Sequence, residues 1–136
     1  MAANTFRPEV FTFNFLTATP SGATGTGDIS LPPGVYYLAV HGTHTDGGTD
    51  PTFLLQEYVD EAQSAVITLP SAQRADTGVQ HGAETIAAAA FSVQYYSQTF
   101  SVANSQPIVL RHGLKWTWTK NQSTAPNVWL TAVRIG

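Results

Sequence analysis

The chain has 136 residues, 43% hydrophobic and 11% charged, with no cysteine and a net charge of −3, which excludes a disulfide framework or a thiolate metal site. That length fits one domain burying about 65–70% of the surface its unfolded chain exposes, and 18 threonines supply much of its polarity. Residues 1–61 carry seven acids against Arg7, whereas residues 111–136 carry Arg111, Lys115, Lys120 and Arg134 and no acid; four dispersed cations do not make the dense basic stripe that phosphate contacts need, so no nucleic acid is expected as a partner.

In chain order, the opening MAANTFRPEVFTFNFL alternates instead of running apolar, so no signal peptide is expected and the protein reads as made in a cytoplasm. No apolar stretch approaches the ~20 residues of a spanning helix, so no membrane partner is expected. A first strand places Phe11, Phe13 and Phe15 on one face and Thr12 and Asn14 on the other. The stretch PSGATGTG (20–27) reads as a flexible loop, followed by a short strand from Asp28 to Leu31. Pro32-Pro33-Gly34 reads as a tight turn in which Gly34 takes a positive φ. The next strand, Val35 to His41, sets Val35, Tyr37, Ala39 and His41 against Tyr36, Leu38 and Val40. Both faces are fairly apolar, which points to cover by a second sheet on one side and a neighbouring subunit on the other.

After a loop GTHTDGGTDP, strands are expected from Thr52 to Val59 and from Ala65 to Leu69, then a polar loop from Pro70 to Gly82. Residues 84–96 hold four alanines that favour helix beside β-branched and aromatic residues that favour strand, and are read as strand, with a short helix as the alternative. Further strands near Thr99 to Val102, Pro107 to Arg111, Leu114 to Lys120 and Val128 to Ile135 complete a set of about nine, the pattern of an all-β sandwich or barrel.

The stretches ISLPPGVYYLAV, IVLRHGLKWTWT and VWLTAVRIG together resemble the jelly-roll modules of the tumour-necrosis-factor and complement globular-head class, and more loosely the small β-sandwich proteins on tailed-phage virions. The resemblance implies a jelly-roll-like antiparallel β-sandwich, a single domain over residues 1–136, that forms a homo-oligomer, specifically a trimer. The phage likeness rests on the threonine- and alanine-rich composition, the lack of a signal peptide and the finish on a strand. It implies a virion protein made in the host cytoplasm, with other virion proteins as partners.

Chemistry-bearing residues are few. His41, Thr43 and His44, with Asp46 and Asp50 downstream, offer metal-ligand types; on a continuing strand His41 and His44 point to opposite faces, a parity that a break at Gly42 would undo, and no metal is expected. TDGGTD lacks the glutamate and spacing of a calcium loop. There is no GxSxG, and His81 and His112 precede glycines with no identifiable orienting acid, so no catalytic residue and no cofactor are expected. Trp116 and Trp118 share one strand face with Leu114, a pair that can stack on sugar rings but that matches a half-buried strand better. Tyr36, Tyr37, Trp116, Trp118 and Trp129 are therefore the candidate core or interface aromatics. The function expected is a non-enzymatic virion structural protein, a capsid decoration or comparable surface component; the alternative is a glycan- or receptor-binding head of a fibre.

Overall fold

The computed structural model describes residues 7–16, 25–45, 51–72, 84–86, 90–95, 107–119 and 124–136. Among them every regular element is a strand: β1 (Glu9–Leu16), β2 (Gly25–Ile29), β3 (Gly34–Thr45), β4 (Thr52–Tyr58), β5 (Val66–Thr68), β6 (Ser71–Ala72), β7 (Glu84–Thr85), β8 (Ala90–Tyr95), β9 (Ile108–Leu110), β10 (Leu114–Thr119) and β11 (Thr124–Arg134). They form two antiparallel sheets, β1-β11-β3-β8-β6 with β9 beside β3, and β2-β10-β4-β5 with β7 beside β4. Apart from the short β6, β7 and β9, the strands are shared between the sheets in the order of a jelly roll, which buries one face of each sheet against the other. The expected all-β sandwich is therefore the fold.

Period-two alternation decides which side chains meet between the sheets. Tyr36, Leu38 and Val40 of β3, Leu130 and Ala132 of β11 and Val93 and Tyr95 of β8 join Phe53 and Leu55 of β4 and Leu114, Trp116 and Trp118 of β10 in one core, with Phe11 and Phe13 packed against it. Trp118 is fully buried, its ring 6.4 Å from that of Phe53, 6.1 Å from Phe91 and 6.1 Å from His44.

Several boundaries differ from the sequence expectation. β3 does not stop at His41 but runs to Thr45, because antiparallel pairing with β11 and β8 holds Gly42 and Thr43 extended where a glycine suggested a break. β2 begins at Gly25, inside the stretch expected to be a flexible loop. Its glycines make room for an indole, since a Cβ on Gly27 would lie 2.9 Å from Trp116 Nε1. Gly34 takes no positive φ; it is the first residue of β3, and a Cβ there would stand 2.5 Å from Arg134 Nε and 2.8 Å from the Gly136 carbonyl oxygen. Left-handed backbone occurs instead at Gly113, φ 95°, between β9 and β10, and at Gln63, φ 56°, between β4 and β5. β6 falls within the expected 70–82 loop, and the 84–96 stretch contains two strands, β7 and β8. The strand expected at Thr99 to Val102 lies outside the described residues.

The β4–β5 turn is organised by one carboxylate. Asp60 accepts hydrogen bonds from the Ser64 hydroxyl, the Ser64 N–H at 2.9 Å and the Ala65 N–H at 3.0 Å. These donors, the Ser64 hydroxyl foremost, hold its pKa below the ordinary carboxylate value. A group with a depressed folded pKa stabilises the fold above its unfolded value, near pH ~4, and loses that contribution as pH falls through the folded value. Protection of the Ser64 and Ala65 amides, corrected for intrinsic exchange, is therefore expected to drop on acidification below about pH 4 in the parent and to stay flat with pH in Asp60→Asn. Hydrogen exchange read by NMR checks this; equal pH profiles in the two proteins would contradict it.

Candidate functional site

The outer surfaces of the two sheets differ in kind. On the β2-β10-β4-β5 sheet the outward positions include Asp28 and Lys115, directly opposite each other, and the Tyr58 hydroxyl donates to Asp28 across β10. That hydrogen bond raises the Tyr58 pKa. This face thus carries charged side chains, beside which Val66, level with Tyr58, is 37% exposed.

The outer face of the β1-β11-β3-β8 sheet carries no Asp, Glu, Lys or Arg among its described residues. Its cross-strand rows follow from the register: Val10, Val133 and Tyr37; Thr12, Thr131, Ala39 and Gln94; Asn14, Trp129, His41 and Ser92; Asn127, Thr43 and Ala90. Beyond Tyr37 the face continues into Ile135, Val35 and Val109, for Ile135 N–H donates to the Val35 carbonyl at 2.7 Å and Val35 pairs with Val109. One end is thus apolar, with Val10 66%, Val109 54%, Ile135 37% and Tyr37 36% exposed. The other end is polar but neutral: Asn14 Nδ2 donates to Asn127 Oδ1 at 2.9 Å, and His41 Nε2 shares a 2.7 Å hydrogen bond with Thr131 Oγ1. Near the apolar end Glu9 and Arg134 follow the inward-facing alternation and meet each other at 3.0 Å. There the acidic N-terminal and basic C-terminal portions join within one chain.

The five aromatic candidates fall into two groups. Tyr36, Trp116 and Trp118 belong to the core, the Tyr36 hydroxyl donating to the Pro32 carbonyl at 2.5 Å. Tyr37 and Trp129 belong to the neutral outer face. The sequence did not single out Val10, Val109, Thr131 or Ile135. Their alternation was visible, but their neighbours across the sheet were not.

The histidines obey the strand alternation. His41 points outward to Thr131, while His44 is buried with its ring 6.2 Å from that of Phe91. No group of three or more His, Asp or Glu converges among the described residues. The His41–Thr131 pair has the composition of a base beside a hydroxyl nucleophile. Acyl transfer would also need an acid orienting the ring and donors for an oxyanion, and no described carboxylate hydrogen-bonds this imidazole. Glu57, half-buried opposite Leu114, has its pKa raised by burial, with the Arg111 charge pulling it back. It lies at the inner face of the other sheet, away from this pair. His112 contributes its backbone carbonyl to Gln63 Nε2 at 2.8 Å, and His81 lies outside the described residues.

Comparison with known proteins gives no matching family model, no similar curated protein and no similar solved structure.

Proposed function

We propose that this chain is a non-enzymatic structural protein of a virion, a capsid decoration or comparable surface component, and that it works as a homo-oligomer joined through the outer face of the β1-β11-β3-β8 sheet. The observation that carries the assembly part is the absence of ions from the described residues of that face while exposed valines, an isoleucine and a tyrosine cluster at one end of it. Desolvating neutral hydroxyls, amides and aliphatic groups costs far less than desolvating ions. The central parts of subunit interfaces are accordingly depleted in charge. The trimeric state and the place on a virion are carried by the resemblance of ISLPPGVYYLAV, IVLRHGLKWTWT and VWLTAVRIG alone, with other virion proteins as partners and the host cytoplasm as the site of synthesis.

The glycan-binding alternative drew on Trp116 and Trp118, and both are core residues. Trp129 is the tryptophan left to stack on a sugar, and it lies on the same neutral face, so sugar and subunit would compete for it.

Tyr37→Lys puts a cation into the apolar end without touching the core. It is expected to raise the dissociation constant of the oligomer about a hundredfold while leaving the near-ultraviolet signature of the buried aromatics intact. Light scattering at micromolar concentration reads the first and circular dichroism the second. A parent chain that is monomeric at 14.6 kDa and does not co-purify with any particle would overturn the proposal.

A further inference from the structure

We infer that the first four residues of β2, Gly25 to Asp28, form a strap over Trp116 that lifts from β10 as a unit, hinged at Ile29, while the rest of the sandwich stays folded. β2 ends its sheet and, among the described strands, pairs with β10 alone. Its inward positions are Gly25, Gly27 and Ile29, and of its side chains Ile29 alone belongs to the core. The two glycines present bare backbone to the Trp116 ring: a Cβ would lie 3.2 Å from Cη2 at Gly25 and 2.9 Å from Nε1 at Gly27. The strap thus covers an indole that is only 8% exposed, yet it buries no apolar side chain of its own there. Ile29 and, two residues on, Leu31 are both buried and anchor the hinge end.

What holds Gly25 to Asp28 down is polar. Beside the ladder to β10, the Thr26 hydroxyl donates to the Trp116 carbonyl at 2.9 Å, and the Tyr58 hydroxyl donates to Asp28 from β4. On opening, such bonds are exchanged for bonds to water, so their net contribution is small. Glycine regains more backbone freedom on release than any other residue, and two of the four strap residues are glycines. Thr26 and Trp116 are 90 positions apart, so no hairpin turn keeps the two strands together. A segment with few buried apolar contacts opens well before the whole domain unfolds. Opening bares the Trp116 indole and leaves the β10 edge without its partner.

β10 carries its own internal standard for this motion. The Gly113 carbonyl accepts from the Tyr58 N–H of β4 at 3.0 Å. By the alternation of an antiparallel strand, the Lys115 and Thr117 amides therefore face β4, and those of Leu114, Trp116 and Trp118 face β2. Hydrogen exchange of the folded chain, read by NMR and corrected for intrinsic rates, is expected to be about a hundredfold or more faster at Trp116 and Trp118 than at Lys115 and Thr117. Leu114, opposite the anchored Ile29, is expected to be slow. A lock supplies the second measurement: Thr26→Cys combined with Thr117→Cys places a disulfide across directly opposed residues whose hydroxyls are 3.3 Å apart, in a chain with no other cysteine. Oxidation is expected to slow Trp116 and Trp118 to the rate of Lys115, and reduction to restore the difference. Equal rates at Trp116 and Lys115 in the parent would overturn the inference, as would fast exchange at Trp116 that persists in the oxidised variant. Fast exchange shared by every β10 amide would report opening of the whole domain and would overturn it too.

Discussion

Replacing Trp118 with alanine is expected to remove about 3–5 kcal/mol of stability, the range for deleting a large aromatic from a packed core. Its indole has no exposed surface and is ringed by Phe53, Phe91 and His44, side chains supplied by both sheets. Collapse into the space would require β10 to approach β8 and β3, which the hydrogen-bonded ladders on both sides resist. Domains of this size are stable by about 5–15 kcal/mol, so the variant lies near the edge of folding. Urea denaturation followed by circular dichroism gives the value, and a loss under about 1 kcal/mol would show that the indole is not tightly packed.

Gly42→Ala is the second change with a large expected effect. A Cβ at this position would lie 2.1 Å from the Asn127 carbonyl oxygen and 3.0 Å from Val128 Cα. Both obstacles are backbone of β11, at the point where its register against β3 shifts between Thr124 and Asn127. Relief therefore requires moving a strand that is paired on both sides, by β3 and by β1, and overpacking of this kind costs about 3 kcal/mol or more. Gly34→Ala is the internal control. Its obstacles are the Arg134 side chain, which has rotamer freedom, and the Gly136 carbonyl oxygen at 2.8 Å, which lies past the end of β11, so less paired backbone has to move and its cost is expected to be below that at Gly42. Thermal melts of the two variants side by side test this; equal costs would mean that the irregular part of β11 yields easily.

These two residues also show where sequence reading succeeds and stops. Alternation along one strand is local, so the sorting of Tyr36 from Tyr37 and of Trp116 and Trp118 from Lys115 and Thr117 was readable from spacing alone, as was the divergence of His41 and His44. What a glycine faces is decided by a strand far off in the chain. Gly42 therefore read as a break in β3, although β3 continues through it and its missing Cβ leaves room for the β11 backbone at Asn127. Gly25 and Gly27 likewise read as flexibility because the Trp116 ring that lies over them comes from β10. The neutral face has the same origin. Tyr37 and Trp129 drew notice as aromatics, but that Val10 joins Val133 and Asn14 joins Trp129 follows from the pairing of β1 with β11, which no local pattern specifies.

That pairing also dictates when the fold can be completed during synthesis. Glu9 and Arg134, 125 positions apart, close the first sheet at one end, and the partner of β1 within it is β11. At a translation rate of about 5–20 residues per second, β1 waits roughly 5–20 s for its partner strand to be made. During that interval Phe11 and Phe13 have no sheet to lie in, and an unpaired strand edge of low charge is open to other chains. Contacts this distant in sequence also place folding in the slow, milliseconds-to-seconds class of β-sandwiches. Yield of the intact chain should therefore be governed less by the stability of the finished sandwich than by how sparsely nascent chains are crowded together, and slower expression at lower temperature is the condition that favours it.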